Sequence, residues 1–168
     1  MQRIHINQFF PGKPLGQIIN GVRCESLEEL TFDDESIDLH VTQDVMEHMF
    51  TPSKAFAEIA RTLKPGGAHV FTVPLVNKNR PSELRATFGK NGEAIFTKPP
   101  QYHGNPVSEE GSLVTVDWGY DICKHIFDAC GLFTHIVRMD NLYLGIRADL
   151  IEVLMTIKPA ESGDGSIQ

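Results

Sequence analysis

Between Phe32 and Pro74 the apolar positions form one helix-length block framed by two strand-length blocks. Ile37 to Thr42 follows the turn-forming run Asp33-Asp34-Glu35-Ser36 and reads as a strand. Thr51 is placed to cap a helix with Pro52 at its first position. Phe56, Ile59, Ala60 and Leu63 then recur at helical spacing on one face, and Lys64-Pro65-Gly66-Gly67 stops the run. Ala68 to Val73 is the second strand. A helix crossing between two such strands requires them to lie parallel, with a right-handed connection. Ligands of open α/β sheets bind beyond the carboxyl ends of the strands, and Asp44-Val45-Met46-Glu47-His48 falls at that edge.

The flanking chain is less regular. Arg3 to Phe9 and Val22 to Cys24 read as short strands, separated by a stretch broken at Pro11, Gly12, Pro14 and Gly16. Leu27 to Leu30 makes a single turn. Arg80 to Arg85 reads as a short helix. An Asn91-Gly92 pair between 86–88 and 94–96 predicts a hairpin. Pro99 to Gly111 reads as a loop and Leu113 to Val116 as a short strand. Asp117 is then expected to cap a helix from Gly119 to Cys130, with Ile122, Cys123, Ile126 and Cys130 inward and Gly131 closing it. Phe133 to Met139 and Leu150 to Ile157 are the final strands. Residues 1–159 are expected to form one domain, with a small, polar, disordered tail over 160–168.

Composition narrows the function. A net charge of −7 over 168 residues disfavours nucleic acid as a partner, because phosphate binding needs a basic face. No apolar run reaches membrane-spanning length, and the first residues lack the apolar core of a secretory signal. The cysteines, Cys24, Cys123 and Cys130, are odd in number and include no CxxC pair. This argues against a disulfide framework or a zinc knuckle, and no metal ligand set is read from the sequence. A cytoplasmic protein is expected.

Taken in order, the segments from Glu25 to Pro74 resemble the class I S-adenosylmethionine-dependent methyltransferases of the type 11 group. The resemblance rests on Glu25-Ser26-Leu27, Phe32 to Leu39, Asp44 to His48, and Leu63 to Gly67. It implies an α/β fold: a three-layer, Rossmann-like, mostly parallel sheet with an antiparallel final strand. It also implies S-adenosylmethionine as cofactor and a small-molecule or sugar-like methyl acceptor. That family opens with a strand leading to a Gly-x-Gly loop, yet no Gly-x-Gly precedes Gly163 here. The expectation is therefore an N-terminally truncated domain, a fragment rather than a natural remnant, with weak or absent cofactor binding.

By the resemblance, Glu25, Ser26 and Leu27 meet the adenine, while Asp44 and Val45 line the cofactor cleft. Asn7 and Gln8 are weaker candidates for ribose contact. Asp44 is equally suited to tying down loop amides. His48 suits a general base near neutral pH or a structural hydrogen bond at a helix entry. Its neighbour Glu47 is not implied as a partner, since adjacent residues do not share a helical face. His103, Asp117, Tyr120 and Asp121 lie in segments suited to orienting or deprotonating an acceptor; Asp117 competes as a helix cap and Trp118 as packing. The rival reading is a non-catalytic module whose exposed sheet edge pairs copies of the chain. A nicotinamide-dependent oxidoreductase is disfavoured, since it too needs the absent glycine loop.

Overall fold

A computed structural model describes residues 6–105 and 108–160. Residues 1–5, with the start of the first expected strand (3–5), and the expected tail from 161 onward lie outside them. Strands β1 (Asn7–Gln8), β2 (Ile18–Ile19) and β3 (Val22–Cys24) form a small sheet in which β3 is central, parallel to β1 and antiparallel to β2. The chain continues through β4 (Ile37–Gln43), a 3-10 turn at Met46–His48, α1 (Pro52–Thr62) and β5 (Leu63–Thr72). Next come β6 (Glu83–Leu84), β7 (Ala86–Phe88), β8 (Ala94–Phe96), β9 (Tyr102–Asn105), β10 (Ser108–Leu113) and β11 (Val116–Asp117). Helix α2 (Ile122–Cys130), β12 (Thr134–Arg138) and β13 (Glu152–Ile157) complete it.

The main sheet has the order β12-β13-β5-β4. β4 and β5 are parallel and bridged by α1, as the apolar pattern requires. β13 runs antiparallel to both of its neighbours. The register of β4 and β5 shifts after Ile37, where Lys64 to Gly67 bulge outward. Gly67 is needed there: a Cβ would stand 2.9 Å from the Lys64 carbonyl oxygen and 3.0 Å from that of Asp38. Both helices pack on one face of the sheet, where Phe56, Ile59, Ile122 and Ile126 meet Phe71 and Leu154. The opposite face leaves Leu39, Val41, Val137 and Ile157 exposed. Among the described residues the expected three layers are thus two.

Inside this core, His40 of β4 and His69 of β5 are cross-strand partners, their rings edge-to-face at 6.4 Å. His69 is buried, bonded through Nε2 to Thr42 Oγ1 at 2.9 Å and stacked on Phe71 at 4.3 Å. His40 Nε2 meets Thr62 Oγ1 at 2.8 Å. Burial pushes the pKa of His69 down to about 3, with His40 adding repulsion, and burial lowers that of His40 to about 4.

Several expectations change. Residues 80–85 form turns and β6, not a helix, and Pro99 to Gly111 contains strands β9 and β10 rather than only loop. Asp117 belongs to β11, where Arg85 Nη1 pairs with it at 2.8 Å and Lys98 Nζ at 3.1 Å. Asp121 occupies the N-cap of α2 instead, and its carboxylate accepts from Ser82. Thr51 makes no side-chain cap; its backbone N–H donates to Glu28 Oε1 at 2.7 Å. Gly131, at φ 73°, closes α2 as expected. Cys24 is buried, while Cys123 and Cys130 are half-buried; all three are free thiols. Among the described residues no helix is long and apolar enough to cross a membrane.

Candidate functional site

A cavity of about 820 Å³ opens between the small sheet and the free edge of β4. Its walls come from β1, from the loop leaving β3, from β4 and from the segment that follows it. It therefore lies at the carboxyl ends of β3 and β4, where the sequence places a ligand edge. Two side chains of α1 hold the β3 loop in place. Glu58 Oε2 accepts from the Leu30 amide at 2.8 Å, and Arg61 donates to the Leu30 and Phe32 carbonyls, both at 2.9 Å. Across the mouth, Phe50 stacks on Phe88 with ring centroids 3.8 Å apart.

Of the expected cofactor residues, Glu25, Ser26, Leu27 and Val45 line this cavity, as do Asn7 and Gln8. Glu25, however, is already engaged: Arg23 Nε lies 2.6 Å from Oε1, and the Thr31 amide and hydroxyl both donate to it. It buttresses the loop rather than offering a free carboxylate. Asp44 is exposed and not part of the lining. Its amide donates to the Thr72 carbonyl and its Oδ1 accepts from Thr72 Oγ1, both at 3.1 Å, so it ties the ends of β4 and β5 together.

The four expected catalytic residues divide. Asp117 and Tyr120 do not line the cavity; Asp117 is held by Arg85 and Lys98, and the Tyr120 hydroxyl bonds Glu152 Oε1 at 3.2 Å. Trp118 packs against Phe56 and donates from Nε1 to the Met46 carbonyl at 3.2 Å. His48 and His103, by contrast, come together with rings edge-to-face at 5.5 Å. Between them sits Glu47. Its Oε1 is 3.7 Å from His48 Nε2 and 3.7 Å from His103 Nδ1. That spacing exceeds a hydrogen bond.

Glu47 and His48 converge, although their adjacency alone does not imply it. The helical-face argument does not apply to a single 3-10 turn, and this one is bolted to the chain at 113–118. The Thr115 amide and hydroxyl bond the Glu47 carbonyl at 2.7 and 3.0 Å, and the same hydroxyl reaches the Met49 carbonyl at 2.7 Å. His48 Nδ1 donates to the Leu113 carbonyl at 2.7 Å. A carbonyl only accepts, so Nδ1 carries the proton and Nε2 presents its lone pair toward Glu47. The Glu47 side chain is 2% exposed, and neither of its oxygens has a hydrogen-bond partner. Burial is the main cause that raises its pKa to about 7, and the Asp44 charge adds to it. The sequence signal for this trio was the Glu47-His48 dipeptide; His103 arrives only through the β9–β10 hairpin.

Comparison with known proteins agrees with this architecture. Residues 7–71 match the family model described as a methyltransferase domain. Over 54 residues the chain is 44% identical to a dimethylglycine N-methyltransferase of Parasynechococcus marenigrum (strain WH8102); the match spans 32% of this chain and only 19% of that enzyme. In fold, it resembles an S-adenosylmethionine-dependent methyltransferase from Mesorhizobium loti, with a TM-score of 0.50 at 13% identity over 84% of this chain and 72% of that one. It likewise resembles a structure of the Haloferax volcanii Trm112 methyltransferase activator in complex with a putative methyltransferase, with a TM-score of 0.50 at 19% identity over 85% of this chain and 64% of that one. The chain has an α/β fold like that of S-adenosylmethionine-dependent methyltransferases, and its residues 7–71 match the methyltransferase-domain model.

Proposed function

We propose that the cavity beside β4 takes the nucleoside half of S-adenosylmethionine and that the protein transfers its methyl group to a small-molecule acceptor. The observation that carries this reading is the cavity's position: it is built from Ser26, Leu27 and Val45, within the segment that matches the family. The residues fit such a group. A volume of about 820 Å³ is ample for a nucleoside, and apolar walls with a few polar groups are the usual lining of cofactor sites. The Ser26 hydroxyl and the amides of Asn7 and Gln8 are the polar contacts on offer. When bound, the cofactor supplies an electrophilic methyl carbon. The chain contributes alignment and exclusion of water, and His48, although it lines the wall, has its ring nitrogens turned to Leu113 and Glu47. Affinity is weak, because the described lining includes no glycine-rich loop and both Glu25 and Glu28 are committed to loop contacts. Three free thiols suit a reducing compartment such as the cytoplasm.

Calorimetric titration with S-adenosylmethionine tests this. Saturable heat is expected, and Ser26→Trp, which fills the cavity, is expected to weaken binding by ~10-fold or more. No heat at millimolar ligand would favour a second reading, assembly through β4. That strand ends the sheet, and its Leu39 and Val41 are 53% and 69% exposed. An apolar edge of this kind can pair with the same edge of another copy. Sedimentation then decides whether copies associate.

A further inference from the structure

We propose that Glu47, His48 and His103 form a binding site for one divalent transition-metal cation. The three donor atoms lie within 4.8 Å of one another. Each imidazole nitrogen is already 3.7 Å from Glu47 Oε1, whereas donors around a tetrahedral zinc ion stand about 3.3 Å apart. Small side-chain rotations therefore close the set. Glu47 is 1% exposed with both oxygens unpartnered, in a turn whose Met46 and Glu47 carbonyls are both bonded to the chain at 115–118. A buried carboxylate without a counter-charge or hydrogen bond is costly, and a cation at this point supplies what it lacks.

The histidine on the turn is prepared in the same sense. The bond from Nδ1 to the Leu113 carbonyl fixes the tautomer that leaves Nε2 free, the arrangement commonly found behind metal-bound histidines. Two imidazoles and one carboxylate favour zinc, cobalt, manganese or iron(II) over magnesium or calcium, which prefer all-oxygen sets. Three protein donors leave a coordination position open for water or another ligand. His48 also lines the large cavity, so the site adjoins the proposed cofactor position. The inference does not depend on methyl transfer, since it concerns three side chains and an ion alone.

The test is zinc binding by the purified, metal-stripped full chain, followed by calorimetry and by elemental analysis after dialysis. One equivalent per chain is expected at neutral pH, and cobalt(II) in its place is expected to give the visible absorption of a low-coordinate nitrogen–oxygen site. His103→Ala removes a half-exposed ligand on the hairpin and is expected to weaken binding at least ~10-fold while circular dichroism stays unchanged. Glu47→Gln keeps the shape and removes the charge, and is expected to do the same. No stoichiometric zinc, or affinity unchanged in both variants, overturns the proposal.

Discussion

Acidification from pH 6.5 to pH 4 is expected to cost this fold several kcal/mol, and His69→Gln is expected to flatten that loss. The buried His69 ring and the half-buried His40 ring at the cavity wall stay uncharged in the folded chain, with pKa values pushed down to about 3 and about 4. In the unfolded chain both imidazoles accept protons near their ordinary value of 6.5. Below that pH the unfolded state therefore binds more protons, and stability falls as pH falls, until the folded-state values are reached. Each pH unit across the window is worth about 1.4 kcal/mol per uncharged ring. Glu47 acts in the opposite sense: its raised pKa favours the folded state as pH drops from about 7 toward the ordinary value of 4.5. The comparison must therefore be wild type against variant, by urea unfolding at several pH values. Gln can still bond Thr42 Oγ1, so the slope changes more than the level. An identical slope in His69→Gln would mean that the ring is accessible to protons in the native state.

Trp118→Ala is expected to destabilise the protein by ~3–5 kcal/mol. The indole is 2% exposed, packs edge-on against Phe56 and shares the core with Ile122 and Ile126. Its Nε1–H also satisfies the Met46 carbonyl, so truncation leaves both a void and an unpaired buried acceptor. Trp118→Phe separates the two: it retains most of the packing and should cost only ~1–2 kcal/mol. Because Met46 begins the turn that carries Glu47 and His48, loss of the indole should also loosen that pair. Guanidinium unfolding measures the first effect, and a change below ~1 kcal/mol for Trp118→Ala would show that the surrounding side chains collapse into the space.

The β4–α1–β5 unit was legible because each of its signals is local. Phe56 and Ile59 repeat at helical spacing and Pro52 opens the helix, although it ends at Thr62, ahead of the glycines at 66 and 67, which lie within β5. The β7–β8 hairpin was legible for the same reason, from one Asn-Gly pair. β9 and β10 were not, since Tyr102-His103-Gly104-Asn105 and Ser108-Glu109-Glu110-Gly111 have little strand propensity and owe their strands to pairing with each other. Asp117 was misread because a helix cap and a buried ion pair use the same residue type; only the approach of Arg85 and Lys98 distinguishes them. The Glu47–His48–His103 cluster was half visible. Two of its members are adjacent, but the third lies 55 residues beyond His48 and is brought in by tertiary structure.

β13, the latest strand in sequence among the described residues, sits not at the rim of the main sheet but between β12 and β5. During synthesis β5 must wait, unzipped on that side, until some eighty more residues have left the ribosome. Closure then joins segments far apart in the chain, a slow kind of step. Until it happens, the nascent chain presents an unpaired flank of β5 on the side away from β4, which makes the interval before β13 docks, rather than the finished fold, the point at which this molecule is most exposed to a chaperone or to aggregation.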